Sequence, residues 1–195
     1  TSIVIPDSVT KIGYSAFLHC TSLTSITIPD SVTDIGNAAF NSCSDLTSVH
    51  IGSGVTSIDG SAFLHCTSLT SITIPDSVTY IGTYVFENCL SLSNVHIGSG
   101  ITKIESGVFS GCTSLTSFTI PDSITSIGFQ AFASCTSLTK IVCYAPTAPS
   151  INYKTFQHIK EGGTLYYPSG SDYSTWLSKE THYLGYYKWN GIEMG

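Results

Sequence analysis

The sequence contains no arginine, and all seven of its basic residues are lysines. Charged residues make up only 10% of the 195 residues, and the formal net charge at pH 7 is -6. Recognition of nucleic acids or phosphate groups usually depends on clustered basic side chains, with arginine the most effective. The composition therefore argues against a nucleic-acid partner.

The sequence also lacks any long hydrophobic run, although apolar residues make up 42% of it. A membrane-spanning helix needs about 18 or more consecutive apolar residues, whereas the apolar residues here recur in short clusters. We therefore expect no transmembrane segment. No signal peptide is recognisable, but the chain opens inside a repeat, and we expect the protein to extend upstream of Thr1.

The seven cysteines lack the close spacing of a metal site. The nearest two, Cys135 and Cys143, are eight residues apart, whereas metal sites are usually built on pairs such as C-x-x-C. Six cysteines follow one another at one constant interval: Cys20, Cys43, Cys66, Cys89, Cys112 and Cys135. We predict a ladder of buried, reduced thiols, because equivalent side chains on stacked turns point in parallel and cannot converge on a bridge.

A unit of twenty-three residues repeats along most of the chain, and phenylalanine keeps the same interval as cysteine from Phe17 to Phe132. A fixed period of this length is typical of a solenoid. In residues 23–28 the pattern L-x-x-I-x-I places alternate apolar side chains on one face of a strand. The inward-facing positions of one turn are predicted to be Leu23, Ile26, Ile28, Val32, Ile35, Ala39, Phe40 and Cys43.

A period twice as long is superimposed on the shorter one. Pro29, Pro75 and Pro121 follow the predicted strands of alternate turns, whereas the intervening turns carry the sequence H-I-G-S-G. Proline lacks a backbone N–H group, so each proline turn removes one donor from the end of a sheet ladder. We infer that the unit of duplication is two turns long.

The motifs L-x-x-I-x-I-P, V-T-x-I-G and A-F-x-x-C, carried by residues 23–29, 32–36 and 39–43, closely resemble the BspA-like branch of the leucine-rich repeats. The resemblance covers residues 1–143. It implies a mostly-β repeat solenoid of the α/β type, right-handed, with a parallel sheet on one face. It also implies an exported or cell-surface bacterial protein that acts in adhesion. The domain expectation is a solenoid over 1–143, truncated at its start, and a capping segment over 144–195.

The segment 144–195 departs from the repeat and is rich in aromatic residues. Residues 164–167 predict one more strand, and residues 171–181 predict a short helix capped by Ser169 or Ser171. Large rings cover the open end of a solenoid efficiently, so we expect a cap. The alternative is a carbohydrate-binding surface built on aromatic rings such as Trp176 and Trp189.

Outward strand positions form ladders of small polar residues, and these are the candidate binding residues. They are Thr27, His50, Thr73, His96, Thr119, Ser71 and Asn94. Such a face can offer hydrogen bonds to a protein or a glycan; equally, threonine is common on solvated strands because it suits them. Two histidines without a third ligand do not predict a metal site. We expect no cofactor and a monomer.

Other residues with chemical potential have simpler explanations. His19 and His65 precede cysteines that are predicted to be buried, and a nucleophilic thiol must be accessible. Aspartates that follow the proline strands are interpreted as turn residues that bond to nearby backbone. The sequence therefore predicts an interaction protein and not an enzyme. The aspartates are Asp7, Asp30, Asp76 and Asp122.

Overall fold

The computed structural model describes residues 2–195 as a mostly-β solenoid of about eight turns. Each turn places one strand in a main parallel sheet, and most turns add a two-residue strand to a second sheet. The main sheet contains β1 (Ser2–Val4), β3 (Ser25–Ile28), β5 (Ser48–Ile51), β7 (Ser71–Ile74), β9 (Asn94–Ile97), β11 (Ser117–Ile120), β13 (Lys140–Cys143), β14 (Thr164–Pro168) and β15 (Asn190–Met194). The second sheet contains β2 (Lys11–Ile12), β4 (Asp34–Ile35), β6 (Ser57–Ile58), β8 (Tyr80–Ile81), β10 (Lys103–Ile104) and β12 (Ser126–Ile127).

The strands begin and end close to where the sequence predicts them. The predicted strand 23–28 is observed as β3, two residues shorter at its start, because the Leu23 N–H group donates to the Cys20 carbonyl and closes a turn. The strand predicted at 164–167 is confirmed as β14. Of the first predicted strand, β1 is described, whereas Thr1 lies outside the described residues.

Every strand pair is parallel, and equivalent residues of successive turns pair at the repeat interval, as Thr27 does with His50. Ladder pairing is interrupted in the main sheet between β5 and β7 and between β9 and β11 across residues 2–195. Both interruptions occur where proline directly follows the incoming strand, although β3, which Pro29 follows, remains paired with β1. The N–H groups of Gly98 and Tyr144 donate to the preceding turn at 2.9 and 3.0 Å, whereas Pro75 and Pro121, at the equivalent positions, have none to donate.

The second sheet is interrupted at a different place. It joins β2, β4, β6 and β8 in one ladder and β10 with β12 in another. Its interruption, between β8 and β10, therefore falls where β7 and β9 of the main sheet are paired.

The core is a set of side-chain stacks that run along the solenoid. All eight positions predicted to point inward in one turn are buried. The phenylalanine rings from Phe17 to Phe132 stack on one another with centroids 4.9 to 5.7 Å apart, and the stack continues to Phe156. Beside it, the thiols from Cys43 to Cys135 each donate to a phenylalanine carbonyl of the preceding turn, as Cys66 does to Phe40 at 3.2 Å. The thiols are all reduced.

One of the six ladder cysteines differs from the prediction. Cys20 is only half-buried, whereas the other five are buried. A cysteine is shielded by the turn on each side of it, and Cys20 belongs to the first turn of the described chain. The prediction that all six thiols are buried is therefore wrong at this position.

The helix predicted for residues 171–181 is absent from the described chain, which forms only a turn there. In a helix the Trp176 carbonyl would accept from Glu180, but here it accepts from the Leu184 N–H group at 2.9 Å. Trp176 itself is buried against Phe156, so tertiary packing overrides the local preference for a helix. A 3₁₀ helix follows at Leu184–Tyr187. No described helix has the length and hydrophobicity needed to span a bilayer.

The thiol ladder predicts an order of chemical modification. Burial raises the pKa of Cys89 and of Cys135 to about 12, and the thiolate is the form that reacts. We expect Cys20 to react first with a maleimide in the native protein, and the other six cysteines to react only on denaturation. Mass spectrometry of tryptic peptides measures this order. Fast native labelling of Cys66 or Cys89 would contradict the packing described here.

The C-terminal segment is predicted to be required for folding. A fragment of residues 1–143 would leave Phe132 without the ring of Phe156 and would expose the edge of β13 that pairs with β14. Exposed edges and apolar faces promote aggregation. We expect the fragment to aggregate or to lack a cooperative thermal transition, measured by size-exclusion chromatography and circular dichroism. A monomeric, cooperatively folding fragment would show that residues 144–195 do not act as a cap.

Candidate functional site

The candidate binding residues lie on the outward face of the main sheet. Alternation along each strand sends one set of side chains into the core and the other into solvent, and all seven predicted residues are exposed. The register aligns them across strands: Thr27 pairs with His50, Thr73 with His96, and Ser71 with Asn94. The residues are Thr27 on β3, His50 on β5, Thr73 and Ser71 on β7, His96 and Asn94 on β9, and Thr119 on β11.

The same ladder continues beyond the predicted residues and changes in character. Thr119 pairs with Val142, Val142 with Tyr166, and Tyr166 with Ile192. The last two of these intervals are longer than the repeat by one residue and by three, so a search at the constant interval misses Tyr166 and Ile192. The strand at 164–167 was recognisable in the sequence, but its register was not. The outward face is therefore polar over most of its length and apolar or aromatic at its C-terminal end.

Two ladders of hydroxyl groups that look alike in the sequence differ in their hydrogen bonds. In one ladder four hydroxyls donate to a carbonyl of the preceding turn, as Thr47 does to Thr24 at 3.0 Å and Thr139 to Thr116 at 3.4 Å. These hydroxyls hold neighbouring turns together. The second ladder contains Thr27, Thr73 and Thr119. Their hydroxyls have no hydrogen-bond partner among residues 2–195.

Grooves open on the outward face beside the proline turns. One has a volume of about 660 Å³ and brings together Asn94, His96 and Thr119 with Asp122 and Tyr144. Thr73 and His96 line a second groove of about 420 Å³ beside Pro75. Thr27 lines a third, of about 360 Å³, beside Pro29.

Two aspartates of the proline turns, Asp30 and Asp76, bind backbone, but not the backbone of their own turn. Asp30 accepts from the N–H group of Ser53 at 2.6 Å, and Asp76 accepts from that of Ser99 at 2.7 Å. Both serine hydroxyls donate to the same carboxylates. The close approach requires glycine, since a Cβ atom at Gly98 would come within 2.7 Å of the Asp76 carboxylate. These two carboxylates thus tie one turn to the next. Within the described residues, no group of three metal-ligating side chains occurs.

The alternative carbohydrate surface does not form on the tryptophans. Trp176 is 1% exposed and Trp189 is 5% exposed. Their indole N–H groups donate inward, to the carbonyls of Pro149 at 2.9 Å and Lys160 at 2.8 Å. A buried ring cannot stack on a sugar, so both tryptophans stabilise the end of the solenoid. Among the rings beyond Cys143 that remain exposed, Tyr144 borders the groove of about 660 Å³.

The histidines beside cysteines occupy a backbone position and do not form a nucleophilic pair. His19 and His65 have φ angles of 58° and 59°, in the left-handed region, as does Asn88 at the equivalent position. Glycine fills this position in one turn, at Gly111. Burial raises the pKa of the neighbouring Cys66 thiol, which lowers its reactivity.

Comparisons with known proteins agree with this architecture. Residues 1–115 and 102–173 match the family model described as a BspA type leucine rich repeat region. A leucine-rich repeat protein of T. pallidum has 25% identity and a TM-score of 0.54, with 70% of this chain and 77% of that chain covered. A leucine-rich cell surface protein of Faecalibacterium prausnitzii has 26% identity and a TM-score of 0.52, with 96% and 64% covered.

The pneumococcal vaccine antigen PcpA has 21% identity and a TM-score of 0.61, with 84% of this chain and 52% of that chain covered. At this identity the similarity shows the fold alone. The chain therefore spans between about half and three quarters of the length of these three proteins. No curated protein matches it.

The ties between turns predict a pH dependence of stability. Hydrogen bonds from the Ser99 backbone and hydroxyl hold the pKa of Asp76 below its usual value. A carboxyl group whose pKa is lower in the folded state stabilises the fold above its unfolded pKa of about 3.9. That stability is lost as the pH falls through the folded pKa.

We expect Asp76→Asn to lower the melting temperature at pH 7, and the difference from the unmodified chain to shrink between pH 5 and pH 2. Thermal melts followed by circular dichroism measure this. Asp122→Asn is the matched control, because Asp122 has no hydrogen-bond partner among residues 2–195 and its replacement should change stability little. An equal effect of both substitutions would argue against the Ser99 tie.

Proposed function

Because this chain belongs to the BspA-type leucine-rich repeat family, we propose that it is a non-enzymatic interaction module. It acts at a bacterial cell surface or after secretion, and it binds a protein or glycan partner through the outward face of the main sheet. The cell-surface assignment is supported by the F. prausnitzii relative, which is described as a leucine-rich cell surface protein.

The observation that carries the proposal is the difference between the two hydroxyl ladders. Hydroxyls that donate to the preceding turn, such as that of Thr47, have a structural role in the solenoid. The hydroxyls of Thr27, Thr73 and Thr119 have no such role within the described chain, although these side chains are equally exposed. A regular row of unused hydrogen-bonding groups on a rigid sheet suits the recognition of a partner.

The same face favours weak individual contacts. Nine strands spaced about 4.8 Å apart give a surface roughly 40 Å long, and its central part carries few of the aromatic or arginine side chains that dominate binding energy. We infer an affinity of about micromolar or weaker for the isolated chain. Adhesion then depends on many copies or many repeats that bind together, since linked weak contacts reinforce one another.

Lysine substitutions on the outward face test this function. Thr73→Lys and Thr119→Lys together should abolish adhesion of the surface-displayed chain to immobilised matrix proteins or host cells, because they place bulky charge on the binding face. The fold should be unaffected, since both side chains are exposed. Adhesion is measured by cell counting, and folding by thermal melts.

Thr102→Lys is the matched control, because Thr102 is also exposed but lies before β10 of the second sheet. Its adhesion should equal that of the unmodified chain. Normal adhesion of the doubly substituted chain would show that the main sheet is the wrong surface. Binding through an aromatic surface in residues 144–195 would then become the better explanation.

A further inference from the structure

The proline turn after β11 differs from those after β3 and β7. In the turns after β3 and β7, the aspartate carboxylate accepts hydrogen bonds from a serine of the next turn. Asp30 accepts from Ser53, and Asp76 accepts from Ser99. The turn after β11 carries the same residue at Asp122, but this carboxylate has no hydrogen bond or ion pair with any residue in 2–195. It is exposed.

The sequence of the following turn explains the difference. Relative to Asp122, Tyr144 and Ala145 occupy the positions that Gly98 and Ser99 occupy relative to Asp76. Alanine has no hydroxyl group that could donate to the carboxylate. The glycine that allows close approach is replaced by a tyrosine. Further along, the Ala145 carbonyl accepts from the Tyr173 hydroxyl at 2.8 Å, which anchors this segment to the C-terminal core. Asp122 therefore has no serine partner in the next turn of the described chain.

The turn at Asp122 borders the groove that also contains Asn94 and Tyr144. Asp122 and Tyr144 line it from the C-terminal side, and Asn94, His96 and Thr119 line it from the sheet. Its volume of about 660 Å³ lies within the range of small-ligand sites. Tyr144 is 55% exposed, so a large part of its side chain is accessible.

We propose that this groove is a subsite for one neutral sugar residue of a glycan. The inference rests on the proposed function, because the groove is part of the same outward face. The Asp122 carboxylate accepts hydrogen bonds from a pair of sugar hydroxyls, the Asn94 amide both donates and accepts, and Thr119 does the same through its hydroxyl. The apolar face of the sugar packs on the Tyr144 ring, whose negative face attracts polarised C–H bonds.

The charge of the groove selects against other ligands. Neither lysine nor arginine lines it, and it contains a carboxylate, so sialylated, sulfated or phosphorylated ligands meet repulsion without a compensating cation. An extended peptide commonly adds to a free strand edge, but β9 and β11 both lie inside the row of main-sheet strands. Protein hot spots favour deep apolar pockets, whereas this groove is open and combines polar side chains with apolar ones such as Pro121 and Tyr144.

The groove beside Pro75 provides an internal comparison. It contains Thr73 and His96, but its Asp76 carboxylate already accepts a hydrogen bond from Ser99. Gly98 is at the position that is equivalent to Tyr144 in the next two-turn unit. It therefore lacks both the available carboxylate and the ring. Among residues 2–195, Asp7, in the groove beside Pro29, also lacks a serine partner, but no aromatic ring lines that groove. Asp122 and Tyr144 together therefore distinguish the groove between β9 and β13.

The test uses the full-length chain on an array of neutral and acidic oligosaccharides, followed by calorimetric titration with the neutral oligosaccharide that gives the strongest signal. Asp122→Asn and Tyr144→Ala should each weaken its binding about tenfold or more, because a charged hydrogen bond or a ring contact is lost. Tyr144→Phe should retain binding within about threefold, since the ring remains. Tyr80→Ala, which removes a similarly exposed ring from β8, should have no effect. Thermal melts confirm that each variant folds.

Different results would overturn the sugar subsite and the proposed function. If a matrix protein binds equally well before and after enzymatic deglycosylation, and Thr73→Lys with Thr119→Lys abolishes that binding, the sugar subsite is wrong and the proposed function stands. A preference for acidic oligosaccharides, or neutral binding that Asp122→Asn and Tyr144→Ala leave unchanged, also overturns the subsite. If neither glycans nor matrix proteins bind, the proposed function fails together with it.

Discussion

The structure depends on the stacking of equivalent side chains at the distance between neighbouring strands. Strands in a sheet lie about 4.8 Å apart, and the phenylalanine rings stack at nearly the same distance, 4.9 Å between Phe17 and Phe40. Each turn must therefore return the chain to the same place after the same number of residues. A lone turn cannot bury its apolar face, so every turn needs its neighbours.

This constraint explains which features could be predicted from the sequence. The constant repeat period fixes which positions point inward, and Leu23, Ile28 and Phe40 are buried as expected. It does not determine local structure where the period breaks. Residues 171–181 have the composition of a helix, but the packing of Trp176 against Phe156 decides their conformation. The difference between Cys20 and the deeper cysteines likewise depends on position in the stack, which a local motif does not encode.

The sequence predicts where the candidate binding residues lie, but not which of their hydroxyl groups are used in hydrogen bonds within the solenoid. The outward ladder from Thr27 to Thr119 follows from strand alternation alone. Which hydroxyls are used within the solenoid does not, because Thr47 and Thr73 are both threonines on exposed ladder positions, and only the hydrogen bond from Thr47 separates them. The role of Asp30 was predicted as a turn contact, but its partner, Ser53, lies a whole turn away. Contacts between turns are visible only once the turns are stacked.

The offset between the interruptions of the two sheets has a mechanical consequence. Where the main sheet is unpaired between β5 and β7, the second sheet pairs β6 with β8, and where it is unpaired between β9 and β11, β10 pairs with β12. The interruptions of the two sheets therefore lie between different pairs of turns. At both interruptions of the main sheet, backbone hydrogen bonds of the second sheet still join the neighbouring turns and resist their separation along the axis. Grooves can therefore form on the main-sheet side of the solenoid while the second sheet continues to hold the same turns together.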